Sequence, residues 1–225
     1  KGRATDGQVG DRITLAHHVA AEAAATYLVS GETTNGKTQW GEIRRADKTT
    51  ITYFKQAPAI EAVPPKRLAY FVRFLDATDQ RVARDAAREL SIAGFKHISA
   101  MSSDDLQLLR ESIERSSKSG EFRLLLHYLI VGYVLAKGED GLAVIDASIL
   151  KNKDAAFTTT YSVMQALRYI WSDLPSNISR DRLRQSMRLV LDRPEFADLV
   201  ISELARWKDW SVQDRIMRLY EAPET

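Results

Sequence analysis

The chain changes character at one stretch, Pro58-Ala59-Ile60-Glu61-Ala62-Val63-Pro64-Pro65. Its prolines lack the amide hydrogen that strand pairing needs, and Pro65 suits the first turn of a helix. Before this stretch the pattern is typical of short strands, whereas after it apolar residues recur every three to four positions. The sequence therefore predicts an α+β chain, mostly α, with a small antiparallel β domain at 1–62 and a helical domain at 63–225.

The region before the boundary has the pattern of short antiparallel strands. Polar and apolar residues alternate over Asp11–Leu15, as in a half-buried strand, and Thr26–Ser30 is a second candidate. Asn35–Gly36 favours a type I′ turn that pairs Thr26–Ser30 with Lys37–Trp40. The β-branched and aromatic residues of Thr49–Phe54 predict a further strand. Together these segments predict a small antiparallel sheet or barrel.

The region after the boundary keeps a helical period to its end. Ser102 and Ser211 each precede an Asp three positions on, which is the spacing of a capping box with Asp in place of Glu. Thr78, Asp154 and Ser179 are single-residue cap candidates. The predicted helices span 65–75, 79–93, 103–116, 120–137, 140–151, 155–172, 180–191, 194–207 and 212–221.

Taken in pairs, these predicted helices begin about every 37–40 residues, which is close to the period of HEAT-like helical hairpins. One hairpin adds a likeness in its residues, because Asp79-Gln80-Arg81-Val82-Ala83-Arg84-Asp85-Ala86-Ala87-Arg88-Glu89-Leu90 resembles the second helix of a HEAT repeat. The resemblance implies that Asp79 and Arg84 help to stack one repeat on the next. It also implies a HEAT-like α-solenoid of about four hairpins plus a C-terminal helix. With the β domain, this plan is similar to exported bacterial proteins of unknown function.

The sequence shows no constellation for catalysis or metal binding, and no cofactor is expected. His17 and His18 are adjacent, so on a strand they would point to opposite faces, and His97 and His127 are isolated. The chain has no Cys, which excludes disulfides, zinc ribbons and thiol catalysis within it. A HEAT-like array offers a long curved surface, so we expect a non-enzymatic interaction or scaffold protein with an unidentified protein partner.

A nucleotide-binding alternative rests on Gly31–Thr38, which matches the pattern G-x-x-x-x-G-K-[ST]. Gly31 and Gly36 would frame a phosphate cradle, Lys37 would reach the phosphates, and Thr38 would ligate magnesium. A P-loop needs a helix directly after this segment, whereas its Asn-Gly pair favours a hairpin turn. We therefore favour a surface hairpin at this position.

A nucleic-acid-binding alternative rests on Arg180, Arg184 and Arg188, which would form a basic stripe along one helix. The whole chain has 32 Lys and Arg against 30 Asp and Glu, whereas nucleic-acid binders usually have a larger excess of cations. Trp207 and Trp210 are further candidate contacts with a partner, because Trp is enriched at binding hot spots. We favour a staple for Trp210, packed back against its own helix.

The sequence leaves the compartment and the oligomeric state open. The chain begins at Lys1 without an initiator Met, so we expect an upstream segment to be missing, which could truncate the β domain. An exported or envelope location is one expectation, and a cytoplasmic location is the other. The longest apolar run, Leu124–Ala136, is too short for a membrane span, which needs about 18–20 residues.

Overall fold

The computed structural model describes residues 12–15, 18, 20, 22, 25–59, 61–119, 125–173 and 177–221, without the side chains of 118, 119 and 219–221. In these residues the chain is mostly helical, with one two-stranded antiparallel sheet. The strands are β1 (Tyr27–Thr34) and β2 (Lys37–Arg45). The ten helices described are α1 (Lys48–Gln56), α2 (Pro64–Phe71), α3 (Gln80–Ala93), α4 (Phe95–Ile98), α5 (Ser103–Ser119), α6 (Leu126–Ile145), α7 (Phe157–Asp173), α8 (Arg180–Arg188), α9 (Ala197–Arg206) and α10 (Gln213–Glu221).

The two strands form the predicted hairpin around Asn35–Gly36. Asn35 and Gly36 have φ angles of 51° and 73°, and a type I′ turn requires positive φ at both central residues. The second strand extends past its predicted end at Trp40 to Arg45. The predicted strand at 11–15 is absent from residues 12–15, while Asp11 lies outside the described residues.

The prediction of a strand at Thr49–Phe54 is wrong, because these residues lie in α1. The Asp47 carboxylate starts this helix by accepting a hydrogen bond from the Thr50 amide at 2.7 Å. Tyr53 is fully buried, and its hydroxyl donates to the Asp85 carboxylate in α3 at 2.6 Å. Burial of one face against the other helices outweighs the β propensity of the segment. Tyr53 thus joins the apolar core of the helices that follow residue 63.

Each of the nine predicted helices has a counterpart in the structure, and several predicted caps are confirmed. The Ser102 and Ser179 hydroxyls each accept a hydrogen bond from the amide three residues on, at 3.1 Å. Asp79 rather than Thr78 caps α3, since its carboxylate accepts from the Arg81 amide at 2.9 Å. Helices α1 and α4 were not predicted as helices.

Helix α6 joins two segments that were predicted as separate helices. Gly138 lies between them with the non-helical angles φ 61° and ψ −138°, so α6 consists of two helical segments that meet at a kink, in agreement with the two predicted helices. The predicted start at 120–124 lies outside the described residues. Beyond the kink, the helix passes into a π-helical turn, Asp146–Leu150.

The core is continuous from Tyr53 to Val212, and α6 lies at its centre, in contact with α3, α4, α5 and α7. Gly132 of α6 allows α4 to approach, because a Cβ at this position would lie 2.4 Å from Ile98 Cγ2. Most other contacts join helices that are neighbours in the chain, such as α7 with α8 and α8 with α9. This order suits stacked hairpins, and the HEAT-like solenoid itself stays a prediction. Within the described residues, none of the helices has the length and hydropathy of a bilayer-spanning segment.

Candidate protein-binding surface

Three residues of the predicted interaction surface, Trp207, Arg180 and Arg184, take part in an aromatic cluster that joins α7, α8 and the end of α9. The rings of Trp171 and Trp207 stack face to face, with centroids 4.4 Å apart and planes 5° from parallel. The Arg180 and Arg184 guanidiniums lie 4.9 and 5.3 Å from the Trp171 centroid, within the range of cation–π attraction. Trp207 is only 3% exposed. Its buried ring therefore supports this surface from inside.

Two of the three arginines in the predicted stripe are occupied by contacts within the chain. Arg184 donates to the Trp207 carbonyl oxygen from Nε at 3.1 Å and from Nη2 at 2.6 Å, and to Asp181 at 2.6 Å. Arg188 donates to both carboxylate oxygens of Asp209, at 2.7 and 2.8 Å. These contacts join α8 to the segment that follows α9. The stripe considered as an alternative phosphate-binding surface is thus largely a structural element, paired with carboxylates of the chain.

Asp209 is the residue on which this segment is fixed. It is 6% exposed, and besides Arg188 it accepts a hydrogen bond from the Ser211 hydroxyl at 2.7 Å. Burial acts to raise its pKa, but the hydrogen bonds from Arg188 and Ser211 outweigh burial, so the pKa of Asp209 is lowered. The hydrogen bond to Asp209 also raises the pKa of Arg188. The pair therefore stays charged at neutral pH.

Trp210, the residue after Asp209, is 65% exposed. The staple favoured for it is wrong, because Asp209 and Val212 hold the segment instead. The Asp209 carboxylate is bound to Arg188, and Val212, at the end of the 3-10 turn Trp210–Val212, is buried. An indole on a fixed backbone is thus left in contact with solvent. The sequence contains no local signal for this arrangement, since Arg188 and Asp209 are 21 residues apart.

Uncompensated positive charge lies on α7, on α8 and at the end of α9. Arg168 and Arg206 both approach the buried Glu203 carboxylate, at 3.1 and 2.8 Å, so two cations share one anion. In the described part of the chain, neither Arg180 nor Lys208 has a carboxylate within 4.0 Å. We call exposed Arg180, Arg206, Lys208 and Trp210 the C-terminal patch. The patch and its supports hold six cations (Arg168, Arg180, Arg184, Arg188, Arg206, Lys208) and three carboxylates (Asp181, Glu203, Asp209), an excess of three.

The two residues with a predicted stacking role lie on α3 and at its start. Asp79 caps α3 and also accepts a hydrogen bond from the Thr50 hydroxyl at 3.2 Å, so it links α3 to α1. Arg84 lies on the exposed face of α3. Their role in stacking one repeat on the next stays a prediction.

The segment that matches a P-loop has the wrong local structure for one. Gly31 lies within β1 and Gly36 lies in the turn. Lys37 and Thr38 lie in β2. The Thr38 hydroxyl pairs with the Thr33 hydroxyl at 2.9 Å across the hairpin. No helix begins directly after Thr38, because β2 continues to Arg45, so the helix N-terminus that binds phosphates in a P-loop is missing here. The interpretation as a surface hairpin is confirmed.

A second feature is a groove of about 690 Å³ where the end of β2 meets the starts of α1 and α3. Asp47 and Asp79 lie in its lining together with Thr50, which hydrogen-bonds both carboxylates. Both carboxylates are thus already used as helix caps. Among the described residues, no group of three or more His, Asp or Glu side chains is placed to hold a metal ion. His127 is half-buried beside Tyr128, and burial lowers its pKa.

No family model matches this chain, and the comparisons with curated proteins and with solved structures found no match either. Function is therefore inferred from the geometry of the chain itself.

Proposed function

We propose that this chain is a non-enzymatic protein-binding module and that the C-terminal patch contacts its partner. One observation carries the proposal: Trp210 is 65% exposed, yet the residue before it is held by a bidentate ion pair. Tryptophan and arginine dominate binding hot spots, because they combine a large apolar area with hydrogen-bond donors. A fixed indole loses little conformational entropy when a partner covers it.

The charge of the patch favours a partner segment that contains carboxylates. The patch and its supports carry three more cations than carboxylates, and complementary charge raises the association rate and orients the partner. Nucleic acid is a poorer fit, because tight phosphate binding needs many free cations and two arginines of the stripe are occupied. The expected partner segment is an acidic peptide or loop with an apolar side chain against Trp210.

A photocrosslinking experiment tests which surface meets the partner. Benzoylphenylalanine replaces Trp210 in one variant and Ile92, a 66% exposed apolar residue of α3, in a matched control. The proposal predicts one protein crosslinked from position 210 and not from position 92. The captured protein is then purified and titrated against the wild-type chain and single variants.

The titration measures the affinity of the captured protein for the chain and for its variants. Trp210→Ala should weaken binding at least about tenfold, and Lys208→Glu should weaken it more at low salt than at high salt. Ile92→Ala should leave the affinity unchanged. Equal losses for Trp210→Ala and Ile92→Ala would contradict the proposal, as would nucleic acid crosslinked at position 210.

A further inference from the structure

The β1–β2 hairpin lies outside the apolar core. None of the residues of either strand is buried, and the core of the described residues begins only at Tyr53. In the described residues, the hairpin contacts the helices through an exposed ion pair between Arg81 and Glu42, at 3.4 Å. A two-stranded hairpin alone is only marginally stable in water, so strands of eight and nine residues call for a further contact.

The hydrogen-bond pattern shows which backbone groups of β1 point away from β2. The Ala46 amide donates to the Thr26 carbonyl at 2.9 Å, so residues 26 and 46 form a hydrogen-bonded pair. Antiparallel pairs alternate, so the N–H and C=O groups of Tyr27 and Val29 point away from β2. Counted from the Asn35–Gly36 turn, the same alternation means that the N–H and C=O groups of Gly31 and Thr33 also point away from β2. Within the described residues, no backbone group bonds to these four.

The two edges of the hairpin differ in their protection against pairing. Between the pairs Val29–Ile43 and Gly31–Trp40, β2 has two residues, Gly41 and Glu42, opposite one in β1, so the bulge lies on β2. Charged residues and bulges discourage the addition of another strand. In β1 the one charged residue is Glu32. In β2 the charged residues are Lys37, Glu42, Arg44 and Arg45.

We propose that β1 pairs antiparallel with β1 of a second copy of this chain, which makes a four-stranded sheet across a two-fold axis. A second copy fits because β1 is the unprotected edge in both copies and the two bulged, charged β2 edges become the outer ones. Full overlap of residues 27–33 places the two Ser30 residues opposite each other and each Glu32 opposite a Leu28. No like charges then face each other, and the assembly is closed.

Light scattering on the purified full chain over a concentration series tests the assembly. The wild-type chain should reach twice the mass of one chain. Val29→Pro should remain monomeric, because it removes an outward amide of β1 without removing a bond within the hairpin. Ile43→Pro is the matched control, since it removes an outward amide of β2, and it should dimerise as the wild type does. Circular dichroism checks that both variants fold.

Cysteine crosslinking tests the register and does not depend on the proline variants. The chain has no Cys, so a single Ser30→Cys substitution creates one thiol at the two-fold axis. Facing residues of a non-hydrogen-bonded antiparallel pair have Cα atoms about 4.5 Å apart, within the range of a disulfide. Oxidation should give a covalent dimer with Ser30→Cys, and not with the exposed β2 control Gln39→Cys.

Three results would overturn the proposal. One is a wild-type chain that stays monomeric at every concentration. If, in addition, Val29→Pro lowers the thermal stability of that monomer, β1 is paired within its own chain. Another is equal dimerisation of Val29→Pro and Ile43→Pro. The third is a disulfide that forms as readily with Gln39→Cys as with Ser30→Cys.

Discussion

Arg188 binds the buried Asp209 carboxylate through two hydrogen bonds, at 2.7 and 2.8 Å, across 21 residues of sequence. This pair joins α8 to the segment after α9 and thereby holds Trp210 in solvent. It is also the reason why the predicted arginine stripe does not present three free cations. The same arginines that made a nucleic-acid surface plausible in the sequence support a smaller patch, centred on one indole.

Truncation of the two C-terminal tryptophans should change the free energy of unfolding by very different amounts. Trp207→Ala removes a buried ring that stacks on Trp171, so it should lower the free energy of unfolding by about 3–5 kcal/mol. Trp210→Ala removes an exposed ring and should change it by less than about 0.5 kcal/mol. Urea unfolding of the two variants measures both values. A large loss for Trp210→Ala would mean that its ring supports the fold.

Asp209 should make stability depend on pH in the acid range. The pKa of Asp209 lies below its ordinary value of 3.8, so its contribution is fully present above that value. The contribution is lost as the pH falls through the lowered folded-state pKa. Asp209→Asn should therefore melt below the wild type at about pH 6, and the gap should narrow towards about pH 2. Melting curves of Asp209→Asn and of the exposed control Asp214→Asn test this, and a constant gap would contradict it.

Truncation of Tyr53 and of Trp40 should distinguish the contribution of the helical core to stability from that of the hairpin. Tyr53 is fully buried among aromatic rings, so Tyr53→Ala should lower the free energy of unfolding by about 3–5 kcal/mol. Trp40 is half-buried in the hairpin and lies outside the core, so Trp40→Ala should cost less than about 1 kcal/mol. Denaturant unfolding compares the two. Similar losses would mean that the hairpin and the helices unfold as one unit.

Substitution of Gly132 should destabilise the chain even though this glycine lies in a helix. An added Cβ would lie 2.4 Å from Ile98 Cγ2, so Gly132→Ala should lower the free energy of unfolding by about 1–3 kcal/mol. Combining it with Ile98→Ala removes the clashing methyl group, so the double variant should lose less than the sum of the single losses. Additive losses in a double-mutant cycle would show that α4 and α6 do not meet at this point.

The elements predicted best are those whose signals are local. Asn35 and Gly36 specify their turn through the backbone angles they tolerate, and Ser102 and Ser179 cap the helices they precede. The segment Thr49–Phe54 was misread because its propensity and its environment disagree. The local Asp47 cap and the burial of Tyr53 both favour a helix there, and only the burial of Tyr53 depends on tertiary contacts, among them its hydrogen bond to Asp85 of α3.

The candidate site was predicted only in part, and the reason is the range of the interactions. The sequence alone determined the helical period, the hairpin turn and the absence of cysteine, because each depends on neighbouring residues or on composition. Only the tertiary structure decided that Trp207 is buried, that Trp210 is exposed and that Arg188 is paired. These outcomes depend on ion pairs and ring contacts between residues 21 or more positions apart, which no local pattern records.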